Sequence, residues 1–276
     1  MEDLKFLTAG IPLRSNPRTY KKAFEDLNDM NLNGLEIEFV HGVKMSSSNI
    51  KEVIELAKPK NMILTAHAPF YVNLNSQEPE KTLASIDRII ETARMAKQLG
   101  LYSIVFHAAY YMGLDAQLVY NKVLDGFSKI MDVVKSENIN VFIRPETTGK
   151  ATQWGDLDEV IRISKEFDLV LPCIDFSHLY ARTIGEYNTY DDFCKILEKI
   201  GTELGEFALE NFHAHVAGIE YTQKGERKHL IFNESDFNYK DLLKALKCFD
   251  VKGVVVCESP NIEDDAMILA QYYHSL

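Results

Sequence analysis

Short apolar runs alternate with longer segments whose apolar residues recur every three to four positions, and the alternation repeats eight times. The runs Lys5–Ala9, Gly34–Val40, Met62–Ala66, Ser103–Phe106, Asn140–Ile143, Leu169–Ile174, Asn211–Val216 and Gly253–Cys257 have the length and residue content of strands. Between and after them lie the helical segments Tyr20–Met30, Asn49–Lys58, Pro79–Leu99, Ala116–Ser136, Leu157–Phe167, Tyr190–Ile200, Tyr239–Phe249 and Ile262–Tyr273. Ser48-Asn49 and Asp156 mark helix starts, and Gly100 after Lys97-Gln-Leu99 marks a helix end.

Strands that alternate with helices predict βαβ units on a parallel sheet. Eight such units in 276 residues match an α/β fold of the (β/α)8 TIM-barrel type in count and length. An open doubly wound sheet would normally place a phosphate-binding glycine turn after its first strand, where this chain has Thr8-Ala-Gly10-Ile-Pro12. No Pro/Gly/Ser-rich linker interrupts the chain, so residues 1–276 are expected to form one domain.

In a barrel the C-terminal ends of all strands meet at one mouth, and this is where the chain concentrates its metal-type ligands. His67, His107, Glu146, Asp175 and Glu258 each close an apolar run, Asp175-Phe-Ser-His178 and His213-Ala-His215 add short spacings, and His229 lies farther on. Six of the eight predicted strands end in or near a His, Asp or Glu. Taken singly, each is most simply a hydrogen-bonded structural residue. Together they are the donor types that borderline divalent metals such as zinc take, and burying them without a cation would be costly. Glu36 and Glu38, alternating with apolar residues in Leu35-Glu-Ile-Glu-Phe-Val40, read as inward polar groups of a barrel layer or as solvated side chains; His41 and His274 read as surface residues.

Composition trims the alternatives. With 30 basic and 41 acidic residues the net charge is −11, which disfavours broad nonspecific attraction to nucleic acid or anionic membranes, although a local basic patch or bound cations would reverse the field at one site. Cys173, Cys194, Cys248 and Cys257 are too far apart for a paired thiolate motif and read as buried thiols of a reducing, cytoplasmic compartment. No secretory signal and no apolar run of membrane-spanning length is visible. There is no Gly-rich P-loop, Gly-x-Ser-x-Gly elbow or Cys-x-x-Cys pair. Phe70-Tyr71, directly after His67-Ala-Pro69, put two large aromatics in a strand-to-helix loop, where a ring could stack on a base or sugar or fold back over the rim.

The pieces His67-Ala-Pro-Phe-Tyr-Val-Asn-Leu74, Val105-Phe-His107, Pro145-Glu146-Thr-Thr-Gly149, Cys173-Ile-Asp175-Phe-Ser-His178, the strand ending at His215, Lys228-His229 and Glu258-Ser-Pro260 span nearly the whole chain. In that order they resemble endonuclease IV, the zinc-dependent apurinic/apyrimidinic endonuclease family within the xylose-isomerase-like barrels. The resemblance implies three zinc ions: Glu146 would bridge two, with His67, His107, Asp175, His215 and Glu258, while His178 and His229 would hold the third. It implies hydrolysis of the phosphodiester 5′ to an abasic deoxyribose, leaving a 3′-hydroxyl, with Glu146 as the catalytic carboxylate. The partner implied is double-stranded DNA containing abasic sites, bound by a monomer, with Phe70 and Tyr71 inserted at the lesion.

The chain departs from the family in two places. The family carries Asp-x-His at its last histidine, whereas the residue two before His229 is Arg227, so the third zinc would either lose a carboxylate or recruit Glu226 through a shifted loop. The family's His-Leu-Asn-Asp segment is replaced around His213-Ala-His215; His215 keeps Gly218 in place and is preferred, with His213 the alternative ligand. Loop cations Lys44, Lys224, Arg227 and Lys228 would supply phosphate contacts. The competing expectation is a sugar isomerase or epimerase on the same barrel, with one divalent metal on Glu146, Asp175, His215 and Glu258. A non-enzymatic metal or scaffold protein leaves the convergence at the mouth unexplained.

Overall fold

A computed structural model describes residues 1–276. Eight parallel strands form one curled sheet: β1 (Leu4–Ala9), β2 (Gly34–Glu38), β3 (Ile63–His67), β4 (Ser103–Phe106), β5 (Phe142–Pro145), β6 (Ile174–Asp175), β7 (Phe212–Val216) and β8 (Gly253–Cys257). Their order is β5-β4-β3-β2-β1-β8-β7-β6. The two ends of that order meet through parallel bridges Ile143↔Val170 and Glu146↔Cys173, which close the barrel as the periodicity predicts. β6 is shorter than the expected Leu169–Ile174. Pro172 interrupts that stretch, and a proline has no N–H to give to a ladder. Pairing survives on either side of it, with Ile143 N–H donating to Leu169 O (2.9 Å) and Cys173 N–H to Pro145 O (3.0 Å).

Helix ends largely follow local chemistry. Asp156 caps helix Leu157–Ser164 in a reciprocal capping box with Glu159, and Gly100 ends helix Pro79–Leu99 with φ 69°. The second helix starts earlier than Ser48-Asn49 suggests, because Ser46 is the residue whose hydroxyl accepts from Asn49 N–H. Helix Phe176–Arg182 and the hairpin Gly218–Thr222/Gly225–Leu230 are elements that the sequence pattern did not show. No helix is long and apolar enough to cross a membrane.

The apolar core lies between the outer faces of the strands and the helices, as one cluster of 70 buried residues. Inside the barrel, only Leu7, Val254 and Val256 form an apolar cluster of their own. Much of the remaining interior is polar: Glu36, Thr65, Ser103, Arg144 and His213 are each at most 1% exposed. This departs from the aliphatic layers that usually fill such barrels. Arg144 donates from Nη1 to Pro172 O (3.0 Å) and from Nη2 to Asn211 O (2.6 Å), so its charge is held by backbone carbonyls. Two of the four cysteines, Cys173 and Cys257, are buried thiols as expected; Cys194 is half-buried and Cys248 exposed, because their helices turn those positions toward solvent.

Candidate metal centre

Because each strand delivers its last inward side chain to the same end of the barrel, residues far apart in sequence meet there. His67, ending β3, donates from Nδ1 to Ala68 O (2.8 Å) and so turns Nε2 toward Glu146 Oε2 (3.1 Å). His107, one residue past β4, brings its Nε2 to the same oxygen, also at 3.1 Å. Glu146, one residue past β5, holds its other oxygen 3.2 Å from His178 Nδ1 and 3.4 Å from His215 Nδ1. Asp175, ending β6, uses Oδ1 to cap the helix that carries His178 (2.7 Å to His178 N). His215 Nδ1 also lies 3.3 Å from Glu258 Oε1.

Three donor sets result: His67/His107/Glu146, Glu146/Asp175/His215/Glu258 and Asp175/His178/His229, each with its ligand atoms within 4.8 Å of one another. Glu146 belongs to two sets and Asp175 to two, so the sets are contiguous. All eight donors anticipated from the sequence are therefore together. Asp175 Oδ2 and His215 Nδ1 are buried with no hydrogen-bond partner, which a shared cation would satisfy. The Nε2 atoms of His178 and His229 are 3.5 Å apart, close to the about 3.3 Å separating two nitrogens on a tetrahedral zinc. Donor type, orphaned atoms and spacing all fit divalent metal.

The hairpin brings Glu226, not Arg227, toward His178. Its register runs Glu220↔Lys228 and then Tyr221↔Glu226, so a β-bulge leaves Arg227 unpaired. A bulge reverses which side of a strand the following residues face. Glu226 thereby comes onto the same side as His229, with Oε2 3.6 Å from His178 Nε2, while Arg227 points outward to Glu220 (2.6 Å). Gly149 makes room for this. A Cβ there would stand 2.5 Å from Glu226 Cβ and 3.1 Å from His178 Cδ2.

Burial and neighbouring charge shift the titration of the clustered donors. Burial raises the Glu146 carboxyl, but the imidazoles of His107, His215 and His178 beside it outweigh this and hold it well below the usual range. Burial lowers His67, yet the Glu146 carboxylate carries it up to about 10. His178 and His215 are likewise driven well above normal by neighbouring anions despite their burial. Asp175 is pushed up to about 6, chiefly by burial.

Other expected residues fall differently. Phe70 and Tyr71 project from the loop beside His67, 63% and 64% exposed, so these rings do not fold back over the rim. Lys44 and Lys224 are exposed. Arg227 and Lys228 belong to a strand rather than a loop, and both approach Glu220. His41 and His274 are exposed as anticipated. Glu36, Glu38 and His213 are the residues the sequence left undecided. Glu36 is fully buried beneath His215, and His213 sits one layer deeper with Nδ1 2.9 Å from Ser103 Oγ, so His215 and not His213 joins the mouth donors. Glu38 pairs in register with His67; burial and the charges of Glu36 and Glu258 push its carboxyl up to about 8. The Glu-x-Glu alternation in β2 was the available signal for this layer.

The comparisons agree with this architecture. The family model described as xylose isomerase-like TIM barrel matches residues 24–273. An uncharacterized protein of Methanocaldococcus jannaschii is 46% identical over 273 residues, covering 99% of this chain and 98% of its own length. A probable endonuclease 4 of Mycoplasma pneumoniae is 25% identical over 204 residues, 72% of this chain and 68% of that one. Among solved structures, a D-tagatose 3-epimerase-like protein superposes with TM-score 0.75 at 21% identity, over 98% of this chain and 97% of that one. Endonuclease IV from Thermus thermophilus gives TM-score 0.71 at 15% identity over 99% and 98%. At such identities the structural likeness speaks for the fold alone, whereas the match of the family model over most of the sequence places this chain in the xylose isomerase-like TIM-barrel family.

Proposed function

We propose that this protein is a zinc-dependent endonuclease that hydrolyses the phosphodiester 5′ to abasic sites in duplex DNA, leaving a 3′-hydroxyl. The observation that carries this reading is the fusion of three donor sets through Glu146 and Asp175. A one-metal isomerase would use Glu146, Asp175, His215 and Glu258 and leave His67, His107, His178, His229 and Glu226 without a role. Three ions would be held by His67, His107 and Glu146; by Glu146, Asp175, His215 and Glu258; and by His178 and His229 with Glu226 or Asp175. Bound there, divalent ions supply Lewis acidity for the phosphodiester and lower the pKa of water. Glu146, reaching both of the first two sets, orients the attacking oxygen. Phe70 and Tyr71 stand beside His67, where rings inserted into a duplex would stabilise the gap left by a missing base. Exposed Lys44 and Lys224 would supply phosphate contacts, whereas Arg227 and Lys228 would first have to release Glu220.

The second reading, a divalent-metal sugar epimerase or isomerase, draws on the four-donor set and on the epimerase structures of the same fold. Purified protein incubated separately with an abasic-site duplex and with a panel of ketoses and aldoses, alongside metal analysis, distinguishes the two. Incision with close to three zinc ions per chain is expected. Sugar epimerisation with one metal per chain and intact DNA would overturn the endonuclease reading.

A further inference from the structure

Beneath the mouth, Glu36 has a role that neither the donor sets nor the fold requires. Its carboxylate is fully buried inside the barrel, where an aliphatic side chain is the usual occupant. Burying an anion is costly unless its partners repay the lost water, so the partners are informative. Thr65 Oγ1 donates to Oε2 at 2.7 Å. His213 Nε2 lies 3.4 Å from the same oxygen, and His215 Nε2 lies 3.0 Å from Oε1. His213 is itself held from its other side by Ser103, Nδ1 to Oγ 2.9 Å.

An imidazole has two nitrogens on opposite edges, and whatever occupies one fixes the role of the other. The His215 ring stands between two groups of anions. Its Nε2 faces Glu36 below, and its Nδ1 faces Glu146 and Glu258 above, at 3.4 and 3.3 Å. An ionised carboxylate only accepts hydrogen bonds. Against Glu36, Nε2 therefore keeps its proton, and in the neutral ring the lone pair falls on Nδ1. His67 reaches the same state by other means, donating from Nδ1 to a backbone carbonyl and presenting Nε2. His215 has no such carbonyl contact; Glu36 takes its place.

We propose that Glu36 is a positioning residue: from the barrel interior it fixes the tautomer and orientation of His215, so that Nδ1 is delivered to the mouth as a ligand. Its carboxylate belongs to none of the three mouth sets, which separates it from the ligands themselves. Thr65 holds the carboxylate in turn, and the His213 ring lies alongside it. This inference rests on reading the mouth as a metal centre. A carboxylate behind a ligating imidazole typically raises affinity by 10- to 100-fold.

The test uses the full chain in metal-free and zinc-loaded states. Nitrogen-15 NMR of the histidines, with His215 assigned by its absence in a His215→Gln sample, reads the tautomer directly; chelator competition reads zinc affinity; circular dichroism confirms folding. Wild type is expected to show the Nε2–H form of His215 in the loaded protein. Glu36→Gln, which keeps shape but leaves a single oxygen for three donors, should weaken zinc binding at least tenfold. Glu36→Met, which removes both acceptors, should mix the tautomers and weaken binding about 100-fold, with the Gln variant lying between. An unchanged tautomer and affinity in folded Glu36→Gln would overturn the proposal, whether or not the Met variant folds. Failure of wild type to bind zinc would instead overturn the metal reading. In that case the proton shift of the His215 Nε2–H, compared between metal-free wild type and Glu36→Gln, still decides whether Glu36 positions the ring.

Discussion

Loading metal into the apoprotein at pH 7 should expel about three protons. The donors of the mouth cannot ligate while protonated, and in the metal-free protein the anions of the site keep His67, His178 and His215 charged. His67, carried up to about 10, is protonated three decades above neutrality; at about 1.4 kcal/mol per decade, freeing it at pH 7 costs about 4 kcal/mol. Apparent affinity should therefore rise with pH, by roughly tenfold per pH unit for each proton displaced. Asp175, raised to about 6, adds a fourth proton only in acid. The sign for the stability of the metal-free protein is the opposite. A histidine whose pKa is raised in the fold stabilises it fully below about 6.5 and loses that contribution as pH rises through the folded value, here about 10 for His67. The metal-free protein should thus weaken on the alkaline side. Isothermal titration calorimetry of zinc binding in buffers of different ionisation enthalpy counts the protons. Release of fewer than one proton at pH 7 would refute the view that imidazolium charge stands in for metal.

Three further outcomes are expected. Glu146→Gln, which removes charge from the carboxylate common to two donor sets, should lower incision of abasic DNA by orders of magnitude while leaving DNA affinity near wild type, measured by single-turnover kinetics and fluorescence anisotropy. Gly149→Ala places a methyl group 2.5 Å from Glu226 Cβ and should push the hairpin off His178; metal analysis should find one ion fewer, as in His229→Ala, and a full complement would show that the hairpin carries no metal. Phe70→Ala and Tyr71→Ala, both at exposed rings, should change folding stability by no more than about 0.5 kcal/mol. Each should nevertheless weaken binding to abasic duplex by about 1–3 kcal/mol, and unchanged affinity would remove these rings from the DNA interface.

How much of this was legible beforehand follows from the range of the forces involved. Periodicity comes from burying one face of each element, so eight strands and their helices could be read locally, and eight parallel units with short connections leave little choice but a closed barrel. Strand-end ligands were legible for the same reason: a polar group closing an apolar run marks the mouth. The sequence therefore determined the barrel, its single mouth and the candidate donors His67, His107, Glu146, Asp175, His178, His215, His229 and Glu258 that meet there. Other features depend on register and close approach between distant segments. Pro172 shortens β6, yet the barrel still closes across it because Glu146 and Cys173 pair on its far side. One unpaired residue, Arg227, decides that Glu226 turns toward His178, and the missing Cβ of Gly149 gives it space. Glu36 and His213 look like ordinary strand positions until the barrel stacks them under His215. A side chain's period along a strand is a local property, but which anion lies behind which imidazole is fixed only when eight strands meet, and that was the tertiary structure's to decide.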